Sequence, residues 1–135
     1  MNHWLVKSEP VKFSWDKFVK EGSTFWDGVR NYQARNNLKE MKTGDLVLFY
    51  HSNEDKAVIG IAKVVKEAYQ DPTTEDPAWV VVDLEPVEKL LKPITLQQIK
   101  SDKRLENISL IKQSRLSVMS LKADEFDYIL SLSQN

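Results

Sequence analysis

The stretch from Leu46 to Ala68 limits the possible folds more than any other part of the chain. Leu46-Val47-Leu48-Phe49-Tyr50-His51 is an apolar run, Ser52-Asn53-Glu54-Asp55-Lys56 is a polar turn, and Ala57 to Ala68 is a return rich in β-branched residues, so the three predict a β-hairpin. Upstream, His3 to Lys7 alternates around Trp4 and Val6 and predicts a short strand. Ser14 can cap a short helix that carries Trp15, Phe18 and Val19 on one side and stops at Gly22. Thr24 to Arg30 reads as a loop, and Asn31 as the N-cap of a second helix running to about Met41. Downstream, Pro72 and Pro77 keep the Asp71–Pro77 loop unpaired. Trp79 to Leu84 predicts a strand that Pro86 ends or confines to an edge, with Val87 to Leu91 continuing it after a bend. Thr95-Leu96-Gln97-Gln98 is a capping-box pattern opening a short helix through Lys100. A helical piece over Lys103–Asn107, a last strand over Leu116–Ser120 and a terminal helix over Ala123–Leu132 complete the chain. Strands and helices never alternate as β-α-β-α, which argues against a doubly wound sheet. The expected class is α+β, a small, partly closed β-barrel with flanking short helices. Over 135 residues there is no repeat, low-complexity segment or flexible linker, so residues 1–135 read as one domain.

Composition removes much of catalytic chemistry. The absence of cysteine excludes disulfides, thiolate nucleophiles and cysteine-ligated zinc, and two histidines make a histidine metal site hard to build. No metal is expected, and the lack of a Walker A string or a G-x-G-x-x-G argues against a cofactor held by its phosphates. Ser8, Ser52, Ser114, Ser117 and His51 are candidates for hydrolysis, but there is no G-x-S-x-G elbow, and a histidine ending a strand is more often structural than a catalytic base. The chain is expected to perform no covalent chemistry. No apolar run approaches the ~18 residues needed to span a bilayer, and the N-terminus lacks a signal-peptide pattern. The expected location is cytoplasmic, or nuclear in a eukaryote, with no membrane partner and a monomeric state.

A formal net charge of -1 looks wrong for a nucleic-acid binder, but the charge is segregated. Seven acids and no lysine or arginine lie between Glu67 and Glu88, whereas Lys100 to Lys122 holds six basic residues against two acids, and Gly28 to Lys42 holds four against one. One positive and one negative face satisfy these numbers, as does chance variation over solvated surfaces.

Trp26-Asp27-Gly28-Val29-Arg30-Asn31-Tyr32-Gln33-Ala34-Arg35-Asn36-Asn37 interleaves aromatics, arginines and amides without the apolar periodicity of packing. Amides read the edge of a base, aromatics stack on its face and arginine meets phosphate or stacks, so the string supplies what a single-base pocket needs. The alternative is that Trp26 and Tyr32 are core aromatics and the amides are caps. Gln113-Ser114-Arg115-Leu116-Ser117 is a second polar string, or else a helix end followed by a turn. Arg30, Arg35, Lys112 and Arg115 are the candidate phosphate contacts.

WLVKSEP (Trp4–Pro10), WDGVRNYQARNNL (Trp26–Leu38), MKTGDLVLFYHSN (Met41–Asn53), VIGIAKVV (Val58–Val65) and QSRLSV (Gln113–Val118) resemble, in order and over essentially the whole chain, the successive motifs of the EVE domain family in the PUA-like superfamily. The resemblance implies a PUA-like pseudo-barrel related to YTH and ASCH domains. It also implies a binding module that accepts a flipped, modified base, associated with modified cytosine in DNA. The pocket motifs carry over to Ser8 and Glu9, Trp26, Asn31, Tyr32, Gln33 and Arg35, Tyr50, His51 and Ser52, and Gln113, Arg115 and Ser117. The acidic Asp71–Asp76 loop is expected to bear on partners rather than on the pocket. Two alternatives stay open: an RNA-binding module, and an enzyme acting on a nucleoside or small amide, as some ASCH-like relatives do.

Overall fold

The hairpin forms where the apolar run predicts it. In the computed structural model, which describes residues 1–134, β3 (Leu46–His51) pairs antiparallel with β4 (Ala57–Gln70). β1 (His3–Ser8) lies parallel to β3 on one side and antiparallel to β6 (Val118–Leu121) on the other. β5 (Val80–Thr95) pairs with β4, and β2 (Thr24–Phe25) adds to its outer side, giving the order β2-β5-β4-β3-β1-β6. Four register irregularities bend the long β4–β5 pair, as bulges do, and curl the sheet. The hydrogen-bonded ladder does not close. Instead, α2 (Tyr32–Glu40) spans the opening: Asn37 Nδ2 donates to the Val118 carbonyl of β6 at 2.8 Å, and Arg35 donates to the Ala78 carbonyl just before β5 at 3.2 Å.

Short helices form where their caps predict them. Ser14 accepts from the Lys17 N–H to open α1 (Trp15–Glu21), and Gly22, at φ 81°, closes it. Asn31 accepts from the Ala34 N–H to open α2, and Thr95 and Gln98 make the reciprocal capping box of α3 (Leu96–Lys100). A 3-10 turn follows at Lys103–Leu105, then α4 (Ser109–Lys112), and α5 (Ala123–Leu132) ends the fold.

Two details differ from the sequence expectation. Thr24-Phe25 is a two-residue strand rather than the start of a loop. α4 has no start signal in the sequence, because Ile108 at its N-cap makes no side-chain capping bond, but its C-cap Gln113 and the turn at Ser114-Arg115 match the alternative reading of Gln113–Ser117 as a helix end followed by a turn. β5 runs through Pro86 and Pro93 as one strand, the edge alternative of the sequence reading. This is possible because β2 covers only Asp83 and Leu84, so from Pro86 onward one side of β5 is an edge where a missing N–H breaks no ladder.

Phe49 of β3 centres the core. Phe18 stacks on it at 5.3 Å, and Trp15 and Trp26 meet it edge-on at 5.4 and 5.7 Å. The Asp45 carboxylate, buried at the start of β3, accepts from Asn2 N, Trp4 Nε1 and Lys42 N and so fixes the beginning of β1 against β3. Gly60 of β4 lies flat against the Trp15 indole, and a Cβ at that position would sit 2.6 Å from the ring. Gly60→Ala must displace this buried ring, with an expected loss of about 1–3 kcal/mol read by denaturant unfolding. An unchanged midpoint would show that Trp15 repacks freely.

Candidate functional site

A cavity of about 370 Å³, within the ~300–1,000 Å³ range of small-molecule clefts, opens where the end of β1 meets the Glu9–Phe13 turn and the chain leaving β2. Its lining comes from Lys7, Ser8 and Glu9, from Lys12 and Phe13, and from Thr24 through Asp27. Local hydrogen bonds shape it. The Glu9 carbonyl accepts from the N–H groups of Lys12 and Phe13, and Ser8 Oγ donates to the Phe13 carbonyl, so the turn folds Phe13 back against Trp26 at 6.0 Å. The opposite wall is held because Trp26 N donates to the Val82 carbonyl at 2.8 Å, prolonging the β2–β5 pairing.

Trp26 therefore has two faces. Only 8% of it is exposed, and its ring packs on Phe13 and Phe49. Among the described residues its indole N–H has no hydrogen-bond partner, and no unpartnered side-chain nitrogen is buried, so this donor reaches solvent on a residue that lines the cavity. Lys7, half-buried, donates from Nζ to the Ser114 carbonyl at 2.7 Å and retains two further N–H groups. Burial lowers its pKa below the usual lysine value. Glu9 faces Lys12 at 3.6 Å in an exposed ion pair that holds neither side chain firmly. The cavity thus offers donors at Lys7 and Trp26, carboxylates at Glu9 and Asp27, and an aromatic wall.

The residues singled out in the sequence divide into three groups. Ser8, Glu9 and Trp26 line the cavity. Tyr50, Ser52 and Ser117 stand behind it: Ser52 donates through N and Oγ to the Ser8 carbonyl, Ser117 accepts from Lys7 N, and Tyr50 lies 6.0 Å from Lys7 Nζ, with burial raising its phenol pKa. Gln113 and Arg115 flank Ser114, whose carbonyl holds Lys7. Arg115 and Lys112 are exposed and make no ion pair among the described residues.

The remaining six residues lie outside the lining. His51 accepts from the Trp15 N–H at Nε2, and its Nδ1 lies 2.7 Å from Asp55, beside a separate cavity of about 340 Å³. Asn31 is used as a helix cap, and Gln33 is exposed on α2. Arg30 donates to Asp71, while Tyr32 and Arg35 gather around Trp79 and one another. Sequence reasoning missed Lys7, Lys12, Phe13, Thr24, Phe25 and Asp27 as lining residues. The available signal was Lys7 itself, a charged residue between the buried Val6 and Ser8.

Asp71 controls the loop that carries Trp26. Its carboxylate is fully buried and accepts from Gly28 N at 3.3 Å, Arg30 Nη1 at 3.0 Å, and Thr73 N and Oγ1 at 2.7 and 2.6 Å. Burial alone would raise its pKa, but the bonds from Thr73, Arg30 and Gly28 outweigh that and leave it below the usual carboxylate value. The acidic loop thus reaches into the architecture of the site through this residue.

The curled six-stranded mixed sheet with flanking short helices defines a PUA-like pseudo-barrel. The EVE domain model matches residues 2–132, and the chain belongs to that family. Thymocyte nuclear protein 1 of Gallus gallus is 40% identical over 98% of this chain and 69% of its own length. Among solved structures, a protein of Agrobacterium tumefaciens superposes with a TM-score of 0.97 at 40% identity, covering 98% of this chain and 93% of that one. Human thymocyte nuclear protein 1, solved in complex with 5-methylcytosine-containing DNA, superposes with a TM-score of 0.94 at 37% identity, covering 100% and 99%. Among the described residues, no helix is long and apolar enough to cross a membrane.

Proposed function

We propose that the chain is a DNA-binding module that accepts one flipped, modified cytosine in the cavity between Glu9, Phe13 and Trp26. The observation that carries this reading is the unpartnered indole N–H of Trp26, held at the wall of an aromatic cavity that also presents carboxylates. The human relative's complex with 5-methylcytosine-containing DNA supports the same ligand class.

Cytosine complements this inventory. Its exocyclic amine is a donor, and carboxylates are the side chains that accept from it, a role open to Glu9 or Asp27. Its N3 and O2 are acceptors opposite Lys7 Nζ and Trp26 Nε1, and its ring can lie against Phe13. Thymine presents an oxygen where cytosine presents the amine, leaving a carboxylate facing an acceptor, so the cavity favours cytosine. Burying a 5-methyl group adds only ~0.8 kcal/mol, about a fourfold preference, and a hydroxymethyl group that bonds to Ser8 or Asp27 adds ~0.5–1.5 kcal/mol more. Extruding the base costs a few kcal/mol, so backbone contacts from exposed Lys112 and Arg115 are needed to offset it.

Binding without covalent chemistry is supported by how the candidate catalytic groups are engaged. Both ring nitrogens of His51 have partners, and the hydroxyls of Ser8 and Ser52 donate to backbone carbonyls rather than to a base. The experiment is an equilibrium titration of two otherwise identical duplexes, one with a single 5-methylcytosine, at two salt concentrations. The modified duplex should bind several-fold tighter, with affinity falling steeply as salt rises. Equal or negligible binding of both would overturn the reading, and turnover of a nucleoside would favour the enzyme alternative.

A further inference from the structure

At the far end of the Trp26 loop, four side chains form a cluster on the surface. Arg30 lies over the Trp79 ring at 5.6 Å, Trp79 stacks with Tyr32 at 5.1 Å and 30°, and Arg35 lies over the Tyr32 ring at 4.9 Å. A tyrosine placed only for packing would be buried, but Tyr32 is 62% exposed. Both guanidinium groups are held in place. Arg30 is bonded to the buried Asp71, and Arg35 bonds to Asn36 Oδ1 through Nε and Nη2 and to the Ala78 carbonyl through Nη1. The ordering entropy of the cluster is thus already met before any ligand arrives.

We infer that the Arg30–Trp79–Tyr32–Arg35 cluster is a second DNA contact, a platform where an unpaired base near the flipped one stacks on the exposed Tyr32 ring. Interleaved aromatic and guanidinium groups are the sequence-tolerant surface on which bases stack, and Arg35, with three of its N–H directions already used, offers chiefly its face and its charge. The distance is suitable. Tyr32 lies five steps along the chain from Asp27 at the cavity, a span of at most ~18 Å, or about five steps along one DNA strand. Because the loop joins both sites and Asp71 fixes it through Gly28 and Arg30, cavity and platform have a set relative position. The platform reads no modification, since a π-face is common to every base. Its role is affinity.

This inference rests on the DNA-binding reading, and its test separates the two. Tyr32→Ala, Tyr32→Phe and wild type are titrated with the modified and unmodified duplexes. Tyr32→Ala should weaken both by the same factor, roughly 5- to 100-fold for one lost stack, with the modified-to-unmodified ratio unchanged and Tyr32→Phe close to wild type. Independently, photocrosslinking of a single-stranded oligonucleotide containing 5-iodouracil, mapped by mass spectrometry, should place adducts on Tyr32 or Trp79. That readout stands even if no duplex shows a preference, in which case only the cavity reading fails. Unaltered affinity of Tyr32→Ala, or adducts absent from both aromatics, would overturn the platform. A preference ratio that collapses with Tyr32→Ala would also overturn it, by making Tyr32 part of the modified-base site.

Discussion

Trp26→Phe is expected to keep the fold and weaken modified-cytosine binding by about 2- to 13-fold, the worth of one hydrogen bond of ~0.5–1.5 kcal/mol. Phenylalanine retains most of the packing on Phe13 and Phe49 but has no counterpart of the unpartnered indole N–H of this cavity-lining residue. Trp26→Ala should go further and remove the preference altogether. It also deletes a ring that is 8% exposed from the central aromatic cluster, at an expected ~3–5 kcal/mol of stability. Only the pair of variants separates the two roles, with denaturant unfolding measuring one and duplex titration the other. Full affinity in Trp26→Phe would show that the N–H meets no base.

Asp71→Ala should lower stability by about 1.5–3 kcal/mol and reduce DNA affinity, although Asp71 does not line the cavity. The side chain accepts from Gly28, Arg30 and Thr73, and removing it frees the segment between Trp26 and α2 on which both proposed contacts depend. The pH dependence has a definite sign. The folded pKa of Asp71 lies below that of the unfolded chain, ~3.9, so its contribution is complete above about pH 4 and is lost as pH falls through the folded value. Asp71→Asn should remove this component, which acid-unfolding curves of the two proteins would show. Affinity equal to wild type in Asp71→Ala would detach the loop from binding.

The hairpin, the capped helices and the α+β class could be read from the chain because each rests on local signals: apolar runs, Ser14, Asn31 and Thr95 at N-caps, and Gly22 at a helix end. The path of β5 was harder to read, since whether proline ends a strand depends on how far the two-residue β2 extends beside it. The site shows the same division. Ser8, Glu9 and Trp26 come together as their motifs imply, but the long polar string from Trp26 to Asn37 is split by the start of α2, which turns Tyr32 and Arg35 toward Trp79. That partner is more than forty residues away in sequence, as is Asp71 from Gly28, and spacing along the chain carries no trace of either contact. His51 shows the limit of residue type as a guide: a histidine beside a carboxylate resembles a base, yet the Trp15 N–H occupies its other nitrogen.

The most direct test is a crystal structure of the protein bound to a duplex with one central 5-methylcytosine. The predicted result is a base out of the helical stack and inside the cavity, its exocyclic amine facing Glu9 or Asp27 and the Trp26 indole N–H within hydrogen-bonding distance of its ring acceptors. An intact duplex lying across the surface, with every cytosine still paired and the cavity holding only solvent, would contradict the account.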